Sequence, residues 1–356
     1  MKWTREIRRA VLLATMLLWV GGCNGLFLPR ARYERTVELQ QAMEAGSTLA
    51  VSTASGSIDV QGAAVGEAQV TATITGYAST EEEAMEIAEQ VEIGFQQTTE
   101  RVEIKADRPR LSGRRSISIS YDIIVPEQTS LHCISASGSI GVADLQGSVQ
   151  AQTASGSVTA ERIGGSVRLH SASGSVKARE VRGGDVGLYT ASGSVRLWDA
   201  SEIGQCGVHS SSGSVAASGV EADRIKISAA SGSVDLDDAK AAEVEMCASS
   251  GHAHAREIEC SRLEAESSSG SVSVTFTPTT PGDVSADLRA TSGSVTVVPP
   301  PDFAGRVDLS STSGSVRSNL PVLVRGRMDK KHITGTVGEG SGSLSARTTS
   351  GSVTIR

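Results

Sequence analysis

The feature that most constrains this chain is a short motif, Ser-Gly-Ser-Val or a close variant of it, that recurs along the sequence. Its glycine, called here the marker glycine, returns at intervals of 18 to 23 residues, which defines a repeat of about nineteen residues. The turn-forming marker glycines are Gly138, Gly156, Gly174, Gly193, Gly213, Gly232, Gly251, Gly270, Gly293 and Gly314. Gly335 stands in a degenerate copy, and Gly351 ends the series. A fixed period of this length indicates a repeat architecture.

Within each repeat, apolar and polar residues alternate. Around Gly193, for example, Val186 and Leu188 precede the marker, and Val195 and Leu197 follow it. A period of two residues is typical of β-strands with one buried face, so each repeat is predicted to hold two strands. A further apolar column stands where the chain would turn a corner. Its members are Leu145, Ile163, Val181, Val220 and Ile258.

One repeat buries too few aliphatic side chains to offset the entropy of ordering about nineteen residues, so neighbouring repeats must share a core. The chain has 38 glycines and only 11 aromatic residues, which argues against ordinary globular packing. The pattern predicts an all-β, right-handed parallel β-solenoid with about nineteen residues per coil. Glycine at each marker is expected to provide a positive φ or a close approach between consecutive coils, and the serines to allow tight stacking. The aligned hydroxyls could alternatively form a flat surface for a sugar or ice lattice.

The predicted organisation has four parts: a signal peptide over 1–22, a tether over 23–35, an N-terminal α+β cap over 36–130, and solenoid repeats over 131–356. The cap is expected to contain an early coil and one acidic helix, with Thr80 as N-cap and Glu83 completing a capping box. The chain stops inside the coil of Gly351, which predicts an open strand edge at the C-terminal end.

The first residues have the pattern of an export signal. A basic segment precedes the apolar run 10–20, which ends in Val-Gly-Gly-Cys at Cys23. This resembles a bacterial lipobox, and implies removal of 1–22, lipidation of Cys23 and anchoring in the cell envelope. Asn24 follows, rather than the aspartate that resembles an inner-membrane retention signal, so the outer membrane is the expected location.

Loss of residues 1–22 would remove four basic residues and one acid, which moves the net charge from −7 to −10. An acidic chain lacks the concentrated cationic surface that phosphate binding needs, so no nucleic-acid partner is expected.

Signs of catalysis are weak. There is no Gly-x-Ser-x-Gly motif, and no lysine lies three residues after a serine, so no activated nucleophile is predicted. The candidate metal site is His252 and His254, with Asp235 one coil earlier and Cys247 nearby. Exposed histidines on a polar face are the simpler interpretation, and no cofactor is expected. Cys247 and Cys260 could form a disulfide in an oxidising envelope, but their separation is not readable from sequence.

The early Gly-Ser-Ile-Asp-Val coil at 56–60, the acidic helix, the strand that ends at Pro126 and the Ser-Gly-Ser-Val turns together resemble the bacterial putative-adhesin family of unknown function, which is related to the head-GIN adhesins. The resemblance implies a β-solenoid at the cell envelope and supplies no catalytic residues. Many members have aspartate after the turn glycine, where this chain mostly has serine.

These patterns predict a non-enzymatic envelope lipoprotein that presents a β-solenoid for adhesion, with an envelope protein or a glycan as partner. The alternative is a structural or stress-associated scaffold that self-associates through an open C-terminal coil. Clustered acids in a cleft, which an enzyme of similar architecture would need, are not apparent in the sequence.

Overall fold

The computed structural model describes residues 31–44, 46–98, 101–324 and 329–356. These residues form 27 β-strands and one short helix, which confirms the all-β class. The described chain divides into two compact units, one ending at Gly156 and the other beginning at Ser157. The predicted signal peptide and Cys23 lie outside the described residues.

The first unit contains ten strands and the helix. They are β1 (Ala31–Ala42), β2 (Thr48–Ser55), β3 (Ile58–Ala63), β4 (Glu67–Ala78), α1 (Glu81–Glu89), β5 (Glu92–Gln97), β6 (Arg101–Asp107), β7 (Ser116–Pro126), β8 (Ser130–Ser137), β9 (Ile140–Leu145) and β10 (Val149–Ser155).

Parallel pairing in the first unit builds the predicted coils. Strand β2 pairs in parallel with β8, which pairs with β10, and β3 pairs in parallel with β9. On the other side of the first coil, β6 pairs with β2 and β7 with β3, also in parallel. Residues 101–126 therefore form a layer outside the coil 48–63, although they follow it in sequence.

The rest of the first unit covers this outer layer. Strand β4 runs antiparallel to β7, β1 antiparallel to β4, and β5 antiparallel to β6. The helix α1 begins after Thr80, whose hydroxyl accepts a hydrogen bond from the Glu83 N–H, as predicted. Ala84, Ile87 and Ala88 form its buried face. The antiparallel strands satisfy backbone groups that an uncovered coil would leave unpaired.

The predicted tether is too long. Strand β1 begins at Ala31, and its twelve residues all pair with β4. Residues 31–35 therefore belong to the cap, because alternating side chains give them one face toward the unit and a backbone partner along their whole length.

The second unit contains seventeen strands. They are β11 (Val158–Ile163), β12 (Val167–Ser173), β13 (Val176–Arg182), β14 (Val186–Ser192), β15 (Val195–Ser210), β16 (Val215–Ala229), β17 (Val234–Ala248), β18 (Ala253–Ser267), β19 (Val272–Phe276), β20 (Ser285–Ala290), β21 (Val295–Val298), β22 (Gly305–Ser311), β23 (Val316–Ser318), β24 (Leu323–Val324), β25 (His332–Val337), β26 (Gly342–Thr348) and β27 (Val353–Ile355).

Equivalent positions of successive coils are in register, as the repeat predicts. Val186 pairs with Cys206, Cys206 with Ile225 and Ile225 with Val244. These side chains and the others of the predicted apolar columns are buried, including the corner column. Within the second unit, strands such as β16 and β17 hydrogen-bond to neighbours on both sides, so their buried columns share one dry interior.

The corner contains a feature that the pattern did not predict. In most coils, the residue before the buried corner side chain has a positive φ, although it is not glycine. These residues are Asp144, Arg162, Glu180, Asp199, Asp238 and Glu257, and Gly219 occupies the same position in one coil. The left-handed conformation costs such residues about 1 kcal/mol, which the stacked strands on both sides of the corner must offset.

The C-terminal end differs from the prediction of an open last coil. Strands β26 and β27 lie between two earlier coils: β26 pairs with β20 and β22, and β27 pairs with β21 and β23. The antiparallel strand β25 then covers β22, and β24 pairs with β25. Gly335 lies within β25 and is not a turn marker. The prediction of an exposed final coil is wrong, because a later segment with the same apolar pattern fits between two coils.

Candidate functional site

The marker glycines bring consecutive coils into close contact. A Cβ atom on Gly213 would overlap the carbonyl oxygen of Gly193, and one on Gly232 would overlap that of Gly213. The same relation holds from Gly293 to Gly270, from Gly351 to Gly293 and from Gly314 to Gly351. Only glycine fits here, so these residues have an architectural role.

A hydroxyl three residues before the marker completes most of these turns. The Thr190 Oγ1 donates to the carbonyl of Gly174 at 2.9 Å, and the Ser210 Oγ donates to that of Gly193 at 2.8 Å. Thr348 and Ser311 repeat the contact in the last two layers. The contact satisfies a buried carbonyl that has no strand partner. Sequence analysis placed the hydroxyls in the marker motif itself and missed this position.

The predicted metal ligands do not come together. Asp235 and His254 are register partners on β17 and β18, but Cys247 lies in another row, between Ser228 and Glu266. His252 takes the place of a marker serine: its N–H donates to Ser233 Oγ at 3.3 Å, and its Nδ1 accepts from the Ser271 N–H at 3.0 Å. Across the described ranges, no three His, Cys, Asp or Glu side chains are placed to hold a metal ion. The candidate ligands lie in separate rows, because parallel register separates positions that are close in sequence.

The four described cysteines are not in disulfides. Cys133, Cys206 and Cys260 are buried, and burial raises the pKa of the Cys206 and Cys260 thiols to about 12. They therefore remain protonated at neutral pH and pack as small apolar groups. Cys247 is half-buried, on a different row from Cys260, so the possible disulfide between them is not formed.

An acidic groove of ≈ 790 Å³ crosses several coils of the second unit. Its floor consists of Ile203, Ala222, Ala241 and Cys260, and small side chains in this column make it shallow. Carboxylates lie along it at Asp185, Glu202, Glu221, Asp223 and Glu259.

Several of the groove's carboxylates are held by neighbours. Asp185 accepts a hydrogen bond from the Gln205 N–H at 2.9 Å, and Lys240 lies 3.1 Å from Glu259. Hydrogen bonds from Thr279 and Lys240 lower the pKa of Glu259. Burial keeps the one thiol in the groove, that of Cys260, protonated, so this thiol is not an activated nucleophile.

A second surface of this unit has a different character. The outward row four residues before each marker runs from His170 through Tyr189, His209 and Ser228 to Cys247, each the register partner of the next. Tyr189 is 39% exposed, and no other aromatic side chain of the described residues is among the large exposed apolar ones. We call His170, Tyr189, His209 and Ser228 the tyrosine row.

Two glycines beside the tyrosine row determine how its ring lies. A Cβ on Gly187 would be 3.0 Å from Tyr189 Cε2, and one on Gly207 would be 3.2 Å from Tyr189 Oη. The ring therefore lies over the backbone of these two glycines, in space that the side chain of any larger residue would need. Sequence analysis missed this site, although the signal was present: a scarce aromatic residue follows an in-strand glycine by two positions, and another glycine occupies the equivalent place one coil later.

Other outward rows carry ion pairs between coils. Lys226 is 2.7 Å from Glu245, and Arg256 contacts Asp237 through two hydrogen bonds of 2.6 and 2.8 Å. The hydrogen bond from Arg256 lowers the pKa of Asp237. Such exposed pairs contribute little to stability. They give the surrounding rows charged side chains, whereas the tyrosine row contains no acidic, lysine or arginine residue.

Within the described residues, no helix is long and apolar enough to cross a membrane.

Comparison with known proteins supports the fold and the family. Residues 180–356 match the family model described as Toastrack DUF4097. No curated protein matches the chain.

Three solved structures are similar in part. They are a putative cell adhesion protein from Clostridium sporogenes at 13% identity, with 90% of this chain and 98% of that chain covered and a TM-score of 0.19; a putative adhesin from Bacteroides fragilis at 8% identity, with 90% and 97% covered and a TM-score of 0.29; and a putative adhesin from Parabacteroides distasonis at 14% identity, with 90% and 97% covered and a TM-score of 0.31.

These TM-scores do not establish a shared arrangement, so the assignment rests on the family model and on the repeat that the structure displays. The resemblance found in the Ser-Gly-Ser-Val turns is thereby confirmed. Residues 180–356 of this chain are similar to the Toastrack DUF4097 family.

Proposed function

We propose that this protein is a non-enzymatic lipoprotein of the bacterial cell envelope, and that its β-solenoid binds an envelope protein or a glycan through an outward face. The observation that carries the proposal is the parallel register from β12 to β18, which aligns side chains of equivalent positions into continuous outward rows. Such rows suit the recognition of extended or repetitive partners, because each coil presents a similar group about 4.8 Å from the last.

The chemistry of the described residues supports a non-catalytic role. The Cys260 thiol in the acidic groove is protonated, and the two histidines proposed for metal binding lie in a different row from Cys247. The features that the described residues do assemble, a stacked core and regular polar faces, suit binding rather than turnover.

The lipobox, and the short segment between its cysteine and the first strand, support the lipid anchor. Cys23 is eight residues before Ala31, where β1 begins. Eight residues span at most about 29 Å, so lipidation of Cys23 would hold the first unit close to a membrane surface. Several acyl chains would make the attachment stable, whereas one chain alone gives marginal binding. Asn24 after the cysteine favours the outer membrane.

The anchor is tested by metabolic labelling of the full chain with palmitate in a Gram-negative host, followed by membrane fractionation. We expect label on the wild type and none on Cys23→Ala, with the variant leaving the membrane fraction. Cys247→Ala, which removes a half-buried cysteine of the solenoid, is the matched control and should label as the wild type does. Label retained by Cys23→Ala would contradict the proposal.

The binding role is tested by a screen of the wild-type chain against envelope proteins and glycans. The expected result is saturable binding that survives mutation of the metal-site residues, such as His254→Ala. Turnover of any partner in the screen would contradict the non-enzymatic assignment.

A further inference from the structure

The tyrosine row has the geometry of a platform for a flat ligand. Tyr189 lies between His170 and His209, its register partners on the two adjacent strands. One side of its ring covers Gly187 and Gly207, while 39% of the residue stays exposed to solvent. Tyrosine offers a large, rigid surface with only two rotatable side-chain bonds, so little entropy is lost when a ligand stacks on it.

Polar groups beside the ring are fixed by the protein. His209 Nδ1 lies 2.9 Å from Ser228 Oγ, and His209 Nε2 lies 3.4 Å from Ser211 Oγ. The imidazole is therefore held between two hydroxyls next to the aromatic ring. Hydroxyl and imidazole groups donate and accept hydrogen bonds, which matches the hydroxyl groups around a sugar ring.

The charge around the platform narrows the ligand class. The positions beside Tyr189 are glycine, histidine, serine and alanine, whereas charged residues begin at Arg168 on one side and Lys226 on the other. Lys226 is paired with Glu245 at 2.7 Å. The residues directly beside the ring carry no acidic, lysine or arginine side chain, and this suits a neutral ligand.

A tyrosine can also be retained on a sheet to cover exposed glycine backbone. That role accounts for the inward side of the ring and for the two glycines. It does not require the outward side to be open, nor the neighbouring imidazole to be held by two serines.

We propose that the tyrosine row binds a neutral pyranose ring of an oligosaccharide, whose C–H groups stack on Tyr189 while its hydroxyls bond to the His209 and Ser228 edge. This inference rests on the proposed binding function and names its ligand class. The site is shallow, so it holds one ring of a longer chain, and further rings extend along the row.

The test is calorimetric titration of the detergent-extracted full chain with cellohexaose and chitohexaose, whose β-linked pyranoses present C–H groups on both faces. We expect the wild type to bind at least one of them and Tyr189→Ala to bind about tenfold more weakly. Tyr189→Phe should stay within about threefold of the wild type, because the stacking ring remains. His209→Ala weakens binding without removing the ring, and so reports on the site even if Tyr189→Ala folds poorly.

Glu221→Ala is the matched control, since Glu221 is an exposed carboxylate of the acidic groove and does not belong to the outward row that contains Tyr189. It should bind as the wild type does. Unchanged binding by a folded Tyr189→Ala, or no binding of either oligosaccharide by the wild type, would overturn the inference. In the second case, the lipid anchor and the binding of an envelope protein stay open to their own tests. A wild-type chain that takes up no palmitate but keeps its Tyr189-dependent binding would instead refute only the anchor.

Discussion

At the scale of single residues, the turn depends on a glycine and on a hydroxyl three positions before it. The glycine allows two coils to approach until a Cβ atom would overlap the carbonyl oxygen of the coil before. The hydroxyl then donates to that same carbonyl, as Thr190 does to Gly174. The approach and the hydrogen bond are coupled, because a buried carbonyl without a donor costs about 1–3 kcal/mol.

Thr190→Val tests this coupling, since valine keeps the shape of threonine and removes only the donor. Thr190 is 2% exposed, so water cannot readily replace the lost bond. We expect the variant to lose about 1–2 kcal/mol of unfolding free energy, measured by urea denaturation followed by circular dichroism. The control Thr296→Val, at a half-buried outward position of β21, should stay within about 0.5 kcal/mol of the wild type. Equal stability of the two variants would show that the hydroxyl contributes nothing to the turn.

Sequence analysis found the glycine of this pair and not the hydroxyl. The marker stands out because its spacing is regular and no other residue replaces it over most of the chain. The position three before the marker holds Thr190 and Ser210 in some coils and Ala229 and Ala248 in others, so it shows no fixed residue type. The left-handed corner residues were unpredictable for a related reason: polarity gives no information on φ, and Glu180 or Asp199 resembles any solvated residue.

At the scale of strands, the outermost coils do not follow chain order. Strand β7 lies outside β3, and β23 lies outside β27, although the alternating pattern alone suggests stacking in sequence. Similar apolar columns can stack on one another in more than one order, so a periodic pattern predicts the coil but not its neighbour. What was predictable here was the class of element and its buried face. Which strand lies next to which depended on the antiparallel strands β4 and β25, which cover the outermost coils through β7 and β22.

The pairing of β3 with β7 has an electrostatic cost. Asp59 is the register partner of Asp122, and both burial and the charge of Asp122 raise the pKa of Asp59. A carboxyl whose pKa is higher in the folded state than in the unfolded state lowers the stability of the fold as the pH rises from the unfolded value to the folded value. Below the unfolded value Asp59 is protonated in both states, and the penalty disappears.

Asp122→Asn should therefore stabilise the protein at pH 7 by a few tenths of a kcal/mol, and this gain should disappear near pH 3. Thermal denaturation at both pH values, in low salt, measures the effect, and added salt should reduce it. Glu339→Gln, at an exposed turn, controls for the loss of one negative charge and should show no such dependence. A gain that persists at pH 3 would assign the effect to something other than the Asp59–Asp122 repulsion.

At the scale of the whole molecule, each coil is stabilised mainly by the coils on its two sides. A conventional last coil has one neighbour, and its loss would expose only one edge. In the second unit, the final segment of the chain has two neighbouring coils, because β26 contacts both β20 and β22. The C-terminal residues are thus an interior layer, with Leu344 and Ile355 fully buried or nearly so.

Deletion of residues 343–356 is expected to remove this layer. The coil 305–318, whose parallel partners are β26 and β27, should then be released together with β25, which pairs with β22. Hydrogen exchange measured by mass spectrometry should show protection lost over 305–318 and 332–337, and retained over β12 and β14, which lie several coils away in the stack. Removal of Arg356 alone, an exposed terminal residue, should leave all of these segments protected. If the larger deletion instead left β22 and β25 fully protected, the last coil would be dispensable, and the interleaved order of the C-terminal layers would be refuted.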